Sequence, residues 1–229
     1  MATVVLLSAG LDSAVNLKEA LDREGVALAL TFDYGQRAAA REAACAALMC
    51  DRLGVRHRLI PLPWLRDLCK NALVGGGMVP EVTADELDSE MVKSGETARA
   101  VWVPNRNGVF VGIAASFAES LGAGTVVAGF NREEAATFPD NSAEFVAATN
   151  AQLGLSTRTG VKVHSYTQDA TKSEIVRLGR RIGAPVACVW SCYLGYPEHC
   201  WRCESCARLE RALREAGAWE WFHAQRRLP

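Results

Sequence analysis

The sequence predicts an α/β fold in which a parallel sheet carries helices on both faces. Short aliphatic runs suited to buried strands alternate with segments whose apolar residues recur at helical spacing. This alternation is typical of βαβ units, whose right-handed crossovers place successive strands in parallel. At 229 residues the chain lies within the range of one such domain and can bury a sizeable core.

Two strand-to-helix units and a third strand are predicted in the first 61 residues. Residues 4–7 are an aliphatic strand candidate, and apolar residues over 11–21 follow at helical spacing. A second strand is predicted over 27–32 and an alanine-rich helix over 38–53, before a third strand over 57–61. The chain therefore begins with a strand that leads through a tight loop into a helix.

Residues 73–100 interrupt this alternation, because three successive glycines and scattered acids leave no sustained apolar face. We interpret the segment as a mobile excursion or lid. The alternation then resumes, with helices predicted over 109–121, 145–153 and 172–182 and strands over 125–129 and 161–164. The predicted organisation is a main α/β domain over residues 1–185, including the lid, and a small C-terminal module over 186–229 that is rich in Cys and Trp.

The composition favours a small-molecule partner. Net charge is −1 and basic residues are scattered among acids, so no long-range field attracts a polyanion, and we expect no direct nucleic acid partner. Hydrophobic residues at 49% and charged residues at 22% are typical of a globular protein. The N-terminus lacks a basic segment before its short apolar run, and no run approaches a membrane span. We therefore expect a cytoplasmic protein with no membrane attachment.

A loop of small residues joins the first predicted strand to the first helix. It comprises Ser8, Ala9, Gly10, Leu11, Asp12 and Ser13. At a helix N-terminus, unpaired backbone N–H groups and the positive end of the dipole favour phosphate. Ser8 and Ser13 add hydroxyl donors, and Asp12 can cap the helix or help to hold Mg²⁺. The pattern favours a phosphate site, and the alternative is an ordinary capped turn.

Four cysteines near the C-terminus have the spacing of a metal site. Cys192, Cys200, Cys203 and Cys206 can form one knuckle closed by the first of them, and four thiolates suit a tetrahedral Zn²⁺ ion. An iron–sulfur cluster is the alternative, but the further C-x3-C-P of the bacterial pattern is absent from the sequence. We predict zinc, with His199 beside the site or at the surface. The other cysteines are predicted to be buried and inert: Cys45, Cys50, Cys69 and Cys188.

The N-terminal loop resembles the Ser-Gly-Gly-x-Asp-Ser motif of the ATP pyrophosphatase (PP-loop) superfamily, whose fold is HUP-like. Nearly the whole chain is further similar to the 7-cyano-7-deazaguanine synthase (QueC) family. In order along the chain, the similarity is carried by Asp33-Tyr34-Gly35-Gln36-Arg37, Val103-Pro104-Asn105-Arg106-Asn107, Gly129-Phe130-Asn131, Phe138-Pro139-Asp140, Lys172-Ser173-Glu174-Ile175, Ser191-Cys192-Tyr193 and the four cysteines.

The resemblance implies an ATP-dependent carbon–nitrogen ligase that acts on 7-carboxy-7-deazaguanine in queuosine biosynthesis. ATP and Mg²⁺ would adenylate the carboxylate, and pyrophosphate would leave into the Ser8–Ser13 loop. Ammonia would then form an amide, and a second activation would dehydrate the amide to the nitrile. The resemblance also implies a structural Zn²⁺ and a homodimer, to which the tail aromatics Trp190, Trp201, Trp219, Trp221 and Phe222 could contribute, although they equally suit packing over the metal module.

Candidate site residues follow from the resemblance together with residue chemistry. Asp12, Arg106 and Lys172 are the catalytic candidates, because a guanidinium or an ammonium can offset charge at an α-phosphate. The candidate nucleotide contacts are the residues of the Ser8–Ser13 loop together with Gln36 and Arg37. The candidate substrate residues are Asn131, Glu134, Phe138 and Asp140, of which Asn131 and Asp140 follow a strand end and suit either a guanine-like base or loop capping.

Several positions depart from the family's usual motifs. Ala9 replaces a glycine, Glu134 replaces an aspartate, Phe138 replaces a tyrosine, Tyr166-Thr167 replace Pro-Leu, and Val189 replaces a threonine. Ala9 either keeps the left-handed conformation of the glycine at a cost of roughly 1 kcal/mol or adopts ordinary torsions. These changes leave a second hypothesis open, a paralogue from an antiviral operon that joins the deazaguanine to a protein amine. A tRNA-modifying thiolase and a nucleotide-binding module without activity are further alternatives.

Overall fold

A five-stranded parallel sheet forms the centre of the protein. The structure is a computed structural model that describes residues 2–89 and 95–229, and in this part of the chain the strand order is β3-β2-β1-β4-β5. The strands are β1 (Thr3–Leu6), β2 (Val26–Asp33), β3 (His57–Pro61), β4 (Thr125–Val127) and β5 (Lys162–His164). All neighbouring pairs in this sheet are parallel, as the strand-to-helix alternation predicts.

Helices connect the strands and continue beyond the last one. In the described residues they are α1 (Leu11–Arg23), α2 (Ala39–Leu53), α3 (Pro63–Asp67), α4 (Glu96–Ala100), α5 (Arg106–Ser120), α6 (Arg132–Ala135), α7 (Ala143–Ser156), α8 (Lys172–Arg181), α9 (Glu204–Glu215) and α10 (Trp219–Gln225). Short 3₁₀ helices lie at Ala72–Val74, Asp85–Asp88, Pro139–Asn141 and Val186–Cys188. None of the described helices is long and apolar enough to cross a membrane.

Both faces of the sheet are covered by helices, because successive strand residues point to opposite sides. On β1, Val5 packs in a core with α1, α2 and α8, whereas Val4 packs in a second core with α5 and α7. Both valines are fully buried. Strands buried on both faces are typical of parallel sheets and explain the continuous aliphatic runs in the sequence.

The strand order reverses between β1 and β4. From β1 the chain adds β2 and β3 on one side, then returns to place β4 and β5 on the other side of β1. Such a switch point opens a crevice at the carboxyl ends of the strands, where α/β proteins bind ligands. The loop from Leu7 to Gly10 and the loop that begins at Ala128 leave the sheet at this point.

The segment over 73–100 differs from a simple loop. Val82 N–H donates to Arg202 C=O (2.7 Å), and Glu81 forms an isolated antiparallel bridge with Cys203. Val82 and Leu87 are buried against Ala207 of α9. The described part of the segment is therefore attached to the C-terminal region, while residues 90–94 lie outside the described residues. Lid motion stays a prediction.

The C-terminal residues share the core of the α/β domain. Trp190 and Phe222 are almost fully buried in the same cluster as α1 and α2, and Trp201 packs edge-on against Trp219 at 5.0 Å. The tail aromatics thus cover the region of the four cysteines, which is one of the two roles expected for them. A domain boundary at residue 185 and a subunit contact stay predictions.

Candidate active site

The loop from Ser8 to Ser13 lies at the switch point and is held by its own backbone and hydroxyl groups. Ser8 Oγ and Ser13 Oγ are 3.2 Å apart, and Ser13 Oγ also donates to Gly10 C=O (3.0 Å). Gly10 is the N-cap of α1 and provides no side-chain cap, so the predicted capping role of Asp12 is wrong. The first N–H groups of α1 therefore have no side-chain partner at the cap, and the residues that carry them line the crevice.

Ala9 keeps the left-handed conformation that glycine favours. Its φ is 62°, so the alternative of ordinary torsions is wrong. Ala9 is completely buried, and its carbonyl accepts a hydrogen bond from the backbone N–H of Trp190 (2.9 Å). This contact from the C-terminal region supports the strained residue and fixes the shape of the loop.

A buried ion cluster links the loop to two other elements. Lys172 Nζ lies 3.0 Å from Asp12 Oδ2 and 2.7 Å from Glu134 Oε1, so one ammonium joins α1, α6 and α8. Lys172 is the first residue of α8, where the helix dipole disfavours a cation. Two carboxylates hold it there, and the fold thus places a positive charge at the Ser8–Ser13 loop.

Burial and charge act in opposite directions on this cluster. Burial raises the pKa of Asp12, and Lys172 offsets only part of that rise. Burial would also raise the pKa of Glu134, but the attraction of Lys172 lowers it below the usual value. Burial alone would lower the pKa of Lys172, yet the two carboxylates raise it. Lys172 therefore stays an ammonium, while Asp12 Oδ1 is buried without a hydrogen-bond partner.

Gly129 allows the loop after β4 to approach the start of α1. A Cβ at this position would lie 2.7 Å from Ser13 N and 3.0 Å from Ser13 Cα, closer than side chains pack. These neighbours are backbone atoms of the helix, which cannot rotate away. Gly129 is therefore needed for the narrow spacing between the loops that follow β1 and β4.

The opposite wall of the crevice comes from the end of β2, the start of α2 and α5. Gln36 is buried and donates from Nε2 to Glu42 Oε2 (2.8 Å). Arg106 Nη1 donates to Tyr34 Oη (3.3 Å), and Phe110 of α5 stacks on Phe32 with ring centroids 4.2 Å apart. This wall thus combines flat apolar rings with one carboxyl group and one guanidinium.

A cavity of about 230 Å³ lies between these walls. The predicted site residues that line it are Ser8, Gly10, Leu11, Asp12, Ser13, Gln36, Arg106, Glu134 and Lys172. The predicted residues that do not line it are Ala9, Arg37, Asn131, Phe138 and Asp140. The structure therefore brings together the catalytic candidates and most of the loop, but fewer of the substrate candidates.

The residues outside the cavity have structural contacts. Arg37 is exposed and donates to Ala72 C=O (2.9 Å) and Gly77 C=O (2.7 Å). Asn131 caps α6 by accepting from Glu134 N–H (2.9 Å). Phe138 stacks on Trp102 with centroids 6.2 Å apart, and Asp140 Oδ1 accepts from Asn141 (3.2 Å). Of the two roles expected for Asn131 and Asp140, loop stabilisation is the one these contacts provide.

Glu42 is a cavity residue that the sequence analysis did not identify. It lies on α2 in register with the buried residues Ala38, Cys45, Ala46 and Met49. An acid at the buried register of an alanine-rich helix was the available signal, because burying a carboxyl group without a partner is costly. Burial raises the pKa of Glu42 to about 7.

The four cysteines form a compact cluster. The Sγ atoms of Cys192, Cys200, Cys203 and Cys206 all lie within 4.8 Å of one another, with Cys200 and Cys206 at 3.9 Å. Thiolates around zinc at about 2.3 Å are separated by about 3.8 Å in a tetrahedron, so the donor set fits that ion. His199 lies outside the cluster and is buried, with Nε2 accepting from Ser191 N–H (3.1 Å). The predicted position beside the site is the one observed.

The remaining cysteines are all buried, as expected for core residues. Cys45 and Cys50 pack between α2 and the C-terminal region, and Arg52 donates to Cys188 Sγ (2.9 Å). Burial raises the pKa of the Cys50 thiol to about 12, so it stays protonated. A protonated, enclosed thiol is unreactive.

The cysteine cluster is continuous with the cavity. Ser191, Tyr193 and Ser205, which are sequence neighbours of Cys192 or Cys206, line one side of the cavity. Arg208 of α9 forms an ion pair with the buried Glu204 (2.7 Å) and lies 3.9 Å from one carboxylate oxygen of Glu133. The other oxygen of Glu133 accepts a hydrogen bond from the backbone N–H of Lys172 (2.7 Å). The cysteine cluster therefore supports both a wall of the cavity and the residue that carries its ammonium.

Fold and site together define the class of the protein. It is an α/β protein with a helix-N-terminal loop and an ion cluster at the switch point of a parallel sheet, next to a cluster of four cysteines that could hold a metal ion.

The family follows from the sequence comparisons. The family model described as queuosine biosynthesis protein QueC matches residues 2–217. A protein named 7-cyano-7-deazaguanine synthase from Desulforudis audaxviator is 54% identical over 95% of this chain and 98% of its own length. Proteins of the same name from Pelotomaculum thermopropionicum and Methanosarcina mazei are 53% and 42% identical, each over 95% of this chain, and cover 98% and 95% of their own lengths. The chain belongs to the QueC family and is an enzyme.

Among solved structures, the chain is similar to an NMN synthetase from Francisella tularensis, with a TM-score of 0.45 and 16% identity. The match covers 100% of this chain and 87% of that one.

Proposed function

We propose that the protein is a 7-cyano-7-deazaguanine synthase that activates 7-carboxy-7-deazaguanine with ATP. The carboxylate attacks the α-phosphorus, and an acyl-adenylate and pyrophosphate form. Ammonia displaces AMP to give the amide. A second ATP activates the amide oxygen, and loss of AMP and a proton yields the nitrile, so two ATP are converted to two AMP and two pyrophosphate per product.

The observation that carries this proposal is the ammonium of Lys172 beside the phosphate loop. Lys172 lies within 3.0 Å of Asp12 and 2.7 Å of Glu134, and all three line the cavity with Ser8 and Ser13. A buried cation held by two carboxylates is positioned before substrate arrives, so it stabilises charge at a phosphate without reorganisation. Arg106 supplies the second positive charge of the cavity from the opposite wall.

The residues also fit the metals that the family uses. Asp12 Oδ1 is a buried oxygen without a partner, a ligand suited to Mg²⁺, which when bound would neutralise phosphate charge. The four clustered thiols suit a structural Zn²⁺, which would hold the C-terminal region in place.

The departures from the family motifs do not favour the protein-conjugating alternative. Glu134 keeps a carboxylate 2.7 Å from Lys172, and Ala9 keeps the left-handed φ of the usual glycine. Phe138, which has lost a hydroxyl, packs on Trp102 and does not line the cavity. The changes thus preserve the contacts of the cavity, and we infer ammonia as the acceptor.

The test supplies ATP, Mg²⁺, 7-carboxy-7-deazaguanine and excess ammonium, and follows nucleotides and deazaguanine products by mass spectrometry. We expect AMP and pyrophosphate, two of each per nitrile. ADP and phosphate as the nucleotide products would contradict adenylation. A reaction that halts at the amide would contradict the nitrile synthase and retain only the first activation.

A pair of lysine variants tests the role of the ion cluster. Lys172→Met should lower kcat/KM for ATP by roughly 100-fold or more, the effect of removing one preorganised charge from a transition state. Lys162→Met, at an exposed position on β5, is the matched control and should change little. Because Lys172→Met leaves the buried Asp12 and the partly buried Glu134 unpaired, circular dichroism must verify folding, and Lys172→Arg should restore part of the activity. Equal activity of the two methionine variants would exclude a catalytic role for Lys172.

A further inference from the structure

Glu42 presents an acceptor to the cavity on the wall formed by β2 and α2. Its carboxyl group lines the cavity, and Oε2 accepts a hydrogen bond from Gln36 Nε2 (2.8 Å). In the described residues, no protein donor is hydrogen-bonded to Oε1. Glu42 is partly buried, and a carboxyl group with one fixed oxygen and one free oxygen facing a cavity is oriented toward a ligand that donates hydrogen bonds.

Gln36 acts as the support of this carboxyl group. Its Oε1 accepts from Tyr34 N–H (2.9 Å), and its Nε2 donates both to Phe32 C=O (3.0 Å) and to Glu42. The amide thus has both of its N–H donors in use, so it locks Glu42 in place. A residue whose rotamer is fixed in this way can discriminate between ligands.

Arg106 places donors beside this acceptor. It is close enough to Glu42 for its charge to act on the carboxyl group, and one of its nitrogens donates to Tyr34 Oη (3.3 Å). The remaining N–H groups of the guanidinium stay available on the same wall. The stacked rings of Phe32 and Phe110 give that wall a flat apolar surface.

This order of groups matches one kind of base. A guanine-like base has an oxo acceptor followed by a ring N–H and an amino donor along one edge. A guanidinium next to a carboxylate offers the complementary donors and acceptors. Adenine has an amino donor and a ring acceptor at the corresponding positions, so it would place donor against donor at Arg106.

We infer that Glu42 is the specificity-determining residue that accepts hydrogen bonds from the ring N–H and 2-amino group of the deazaguanine, with Arg106 donating to its oxo group. The inference rests on the proposed function, since it assigns part of the same cavity to the same substrate. It also places the base on the β2 side of the cavity and the reacting carboxylate toward the Lys172 cluster.

The experiment compares 7-carboxy-7-deazaguanine with its analogue that lacks the 2-amino group, in the wild type and in Glu42→Gln. The amide of glutamine keeps the size and the bond from Gln36 but replaces one acceptor by a donor. The wild type should prefer the natural acid by roughly 10- to 100-fold in kcat/KM, the value of a charge-assisted hydrogen bond. Glu42→Gln should have a kcat/KM for the natural acid that is lower by roughly the same 10- to 100-fold. Its kcat/KM values for the natural acid and for the analogue without the 2-amino group should be nearly equal. KM for ATP should stay within about twofold.

The outcomes separate this inference from the proposed function. If the wild type fails to convert 7-carboxy-7-deazaguanine, the proposed function is wrong. If the wild type converts it and Glu42→Gln keeps the full preference for the 2-amino group, the inference is wrong and the function stands. A rise in KM for ATP alone would assign Glu42 to the adenine site and overturn the inference. Glu144→Gln, at an exposed position on α7, is the control and should match the wild type in every assay.

Discussion

Ala9 illustrates how a single residue can keep the conformation of the glycine it replaces. Its φ of 62° costs roughly 1 kcal/mol for a residue with a Cβ. The bond from Trp190 N–H and complete burial of the methyl group stabilise the residue in return. The backbone geometry of the loop is therefore preserved, and the substitution gives no ground for an inactive protein.

Glu42 should destabilise the fold at neutral and higher pH. Its pKa rises from 4.5 to about 7 on folding, because burial disfavours the charged form. Between these values the folded state holds a proton that the unfolded state has released, so stability falls as pH rises from about 4.5 through 7. Glu42→Gln should therefore raise the unfolding free energy by roughly 1 to 3 kcal/mol at pH 8 and by almost nothing at pH 4.

Thermal or urea unfolding of both proteins at the two pH values is the measurement. Glu144→Gln should show no such pH-dependent gain, since that residue is exposed. A difference between Glu42→Gln and the wild type that is the same at pH 4 and pH 8 would contradict the raised pKa. A pH-dependent gain would mark Glu42 as a residue kept for binding at the expense of stability.

Gly129 should be intolerant of even one added methyl group. Gly129→Ala places a Cβ 2.7 Å from Ser13 N, so the start of α1 must move away from the loop after β4. A displacement near 1 Å in a catalytic site can cost about 100-fold, and we expect kcat/KM to fall by roughly 10- to 100-fold. Overpacking should also cost about 1 to 3 kcal/mol of stability.

Gly112→Ala provides the control for this prediction. Gly112 is an exposed interior residue of α5, and a Cβ there would meet nothing within 4 Å. The substitution should raise stability by about 0.5 to 1 kcal/mol and leave activity unchanged. If Gly129→Ala behaved in the same way, the close approach of the two loops would be unimportant for the reaction.

At the scale of elements, α9 connects the cysteine cluster to the cavity. Cys203 is its N-cap and Cys206 lies in its first turn, so a metal at the cluster would fix where the helix begins. One side of α9 carries Arg208, which reaches Glu204 and Glu133. The position of this helix therefore affects α6 and the backbone of Lys172.

Metal removal should consequently reduce both stability and activity. We expect one zinc per chain, no visible colour, and a fall in melting temperature of several degrees after chelation, because binding of a structural metal is coupled to folding. Cys206→Ser should reproduce both effects. Cys69→Ser, at a buried cysteine away from the cluster, should cost some stability and leave the metal content at one.

Metal analysis, absorption spectra and calorimetry measure these quantities. Stoichiometric iron with a band in the visible range would contradict zinc. Full activity and an unchanged melting temperature of the metal-free protein would contradict the structural link through α9. Activity that returns when Zn²⁺ is added back, together with the original melting temperature, would support it.

For the whole molecule, the elements of regular structure could be predicted from the sequence. The aliphatic runs of β1 and β2 lie within a residue or two of their predicted limits, and β3 has the predicted limits. The strand order could not be predicted, because periodicity describes which face of an element is buried and not which strand lies beside it. Within residues 73–89, Glu81 and the short helix at Asp85–Asp88 have partners more than a hundred residues away, since Glu81 pairs with Cys203 and Leu87 packs on Ala207.

In the candidate site, too, local motifs could be read from the sequence, whereas contacts between distant residues could not. Asp12 and Lys172 could be proposed from local motifs, and the structure brings them within 3.0 Å of each other. Their pairing with Glu134 needed the fold, since three elements meet there. The local signal for Glu42 was an acid at the buried register of the alanine-rich α2, but its place in the cavity beside Gln36 needed the fold. For Arg37 the fold adds contacts that the motif does not indicate, because its guanidinium donates to two loop carbonyls, and a nucleotide contact of Arg37 stays a prediction.

The bond between Lys172 and Asp12 also constrains how the protein matures during its synthesis. The two residues are 160 positions apart in the sequence. The backbone N–H of Trp190, which donates to the Ala9 carbonyl, is likewise synthesised long after Ala9. At translation rates of about 5 to 20 residues per second, roughly 8 to 32 s pass between the synthesis of the loop and that of its lysine. A ribosome-bound fragment that ends before residue 172 therefore carries the loop without its cation, and we expect such a fragment to lack the proposed adenylation activity.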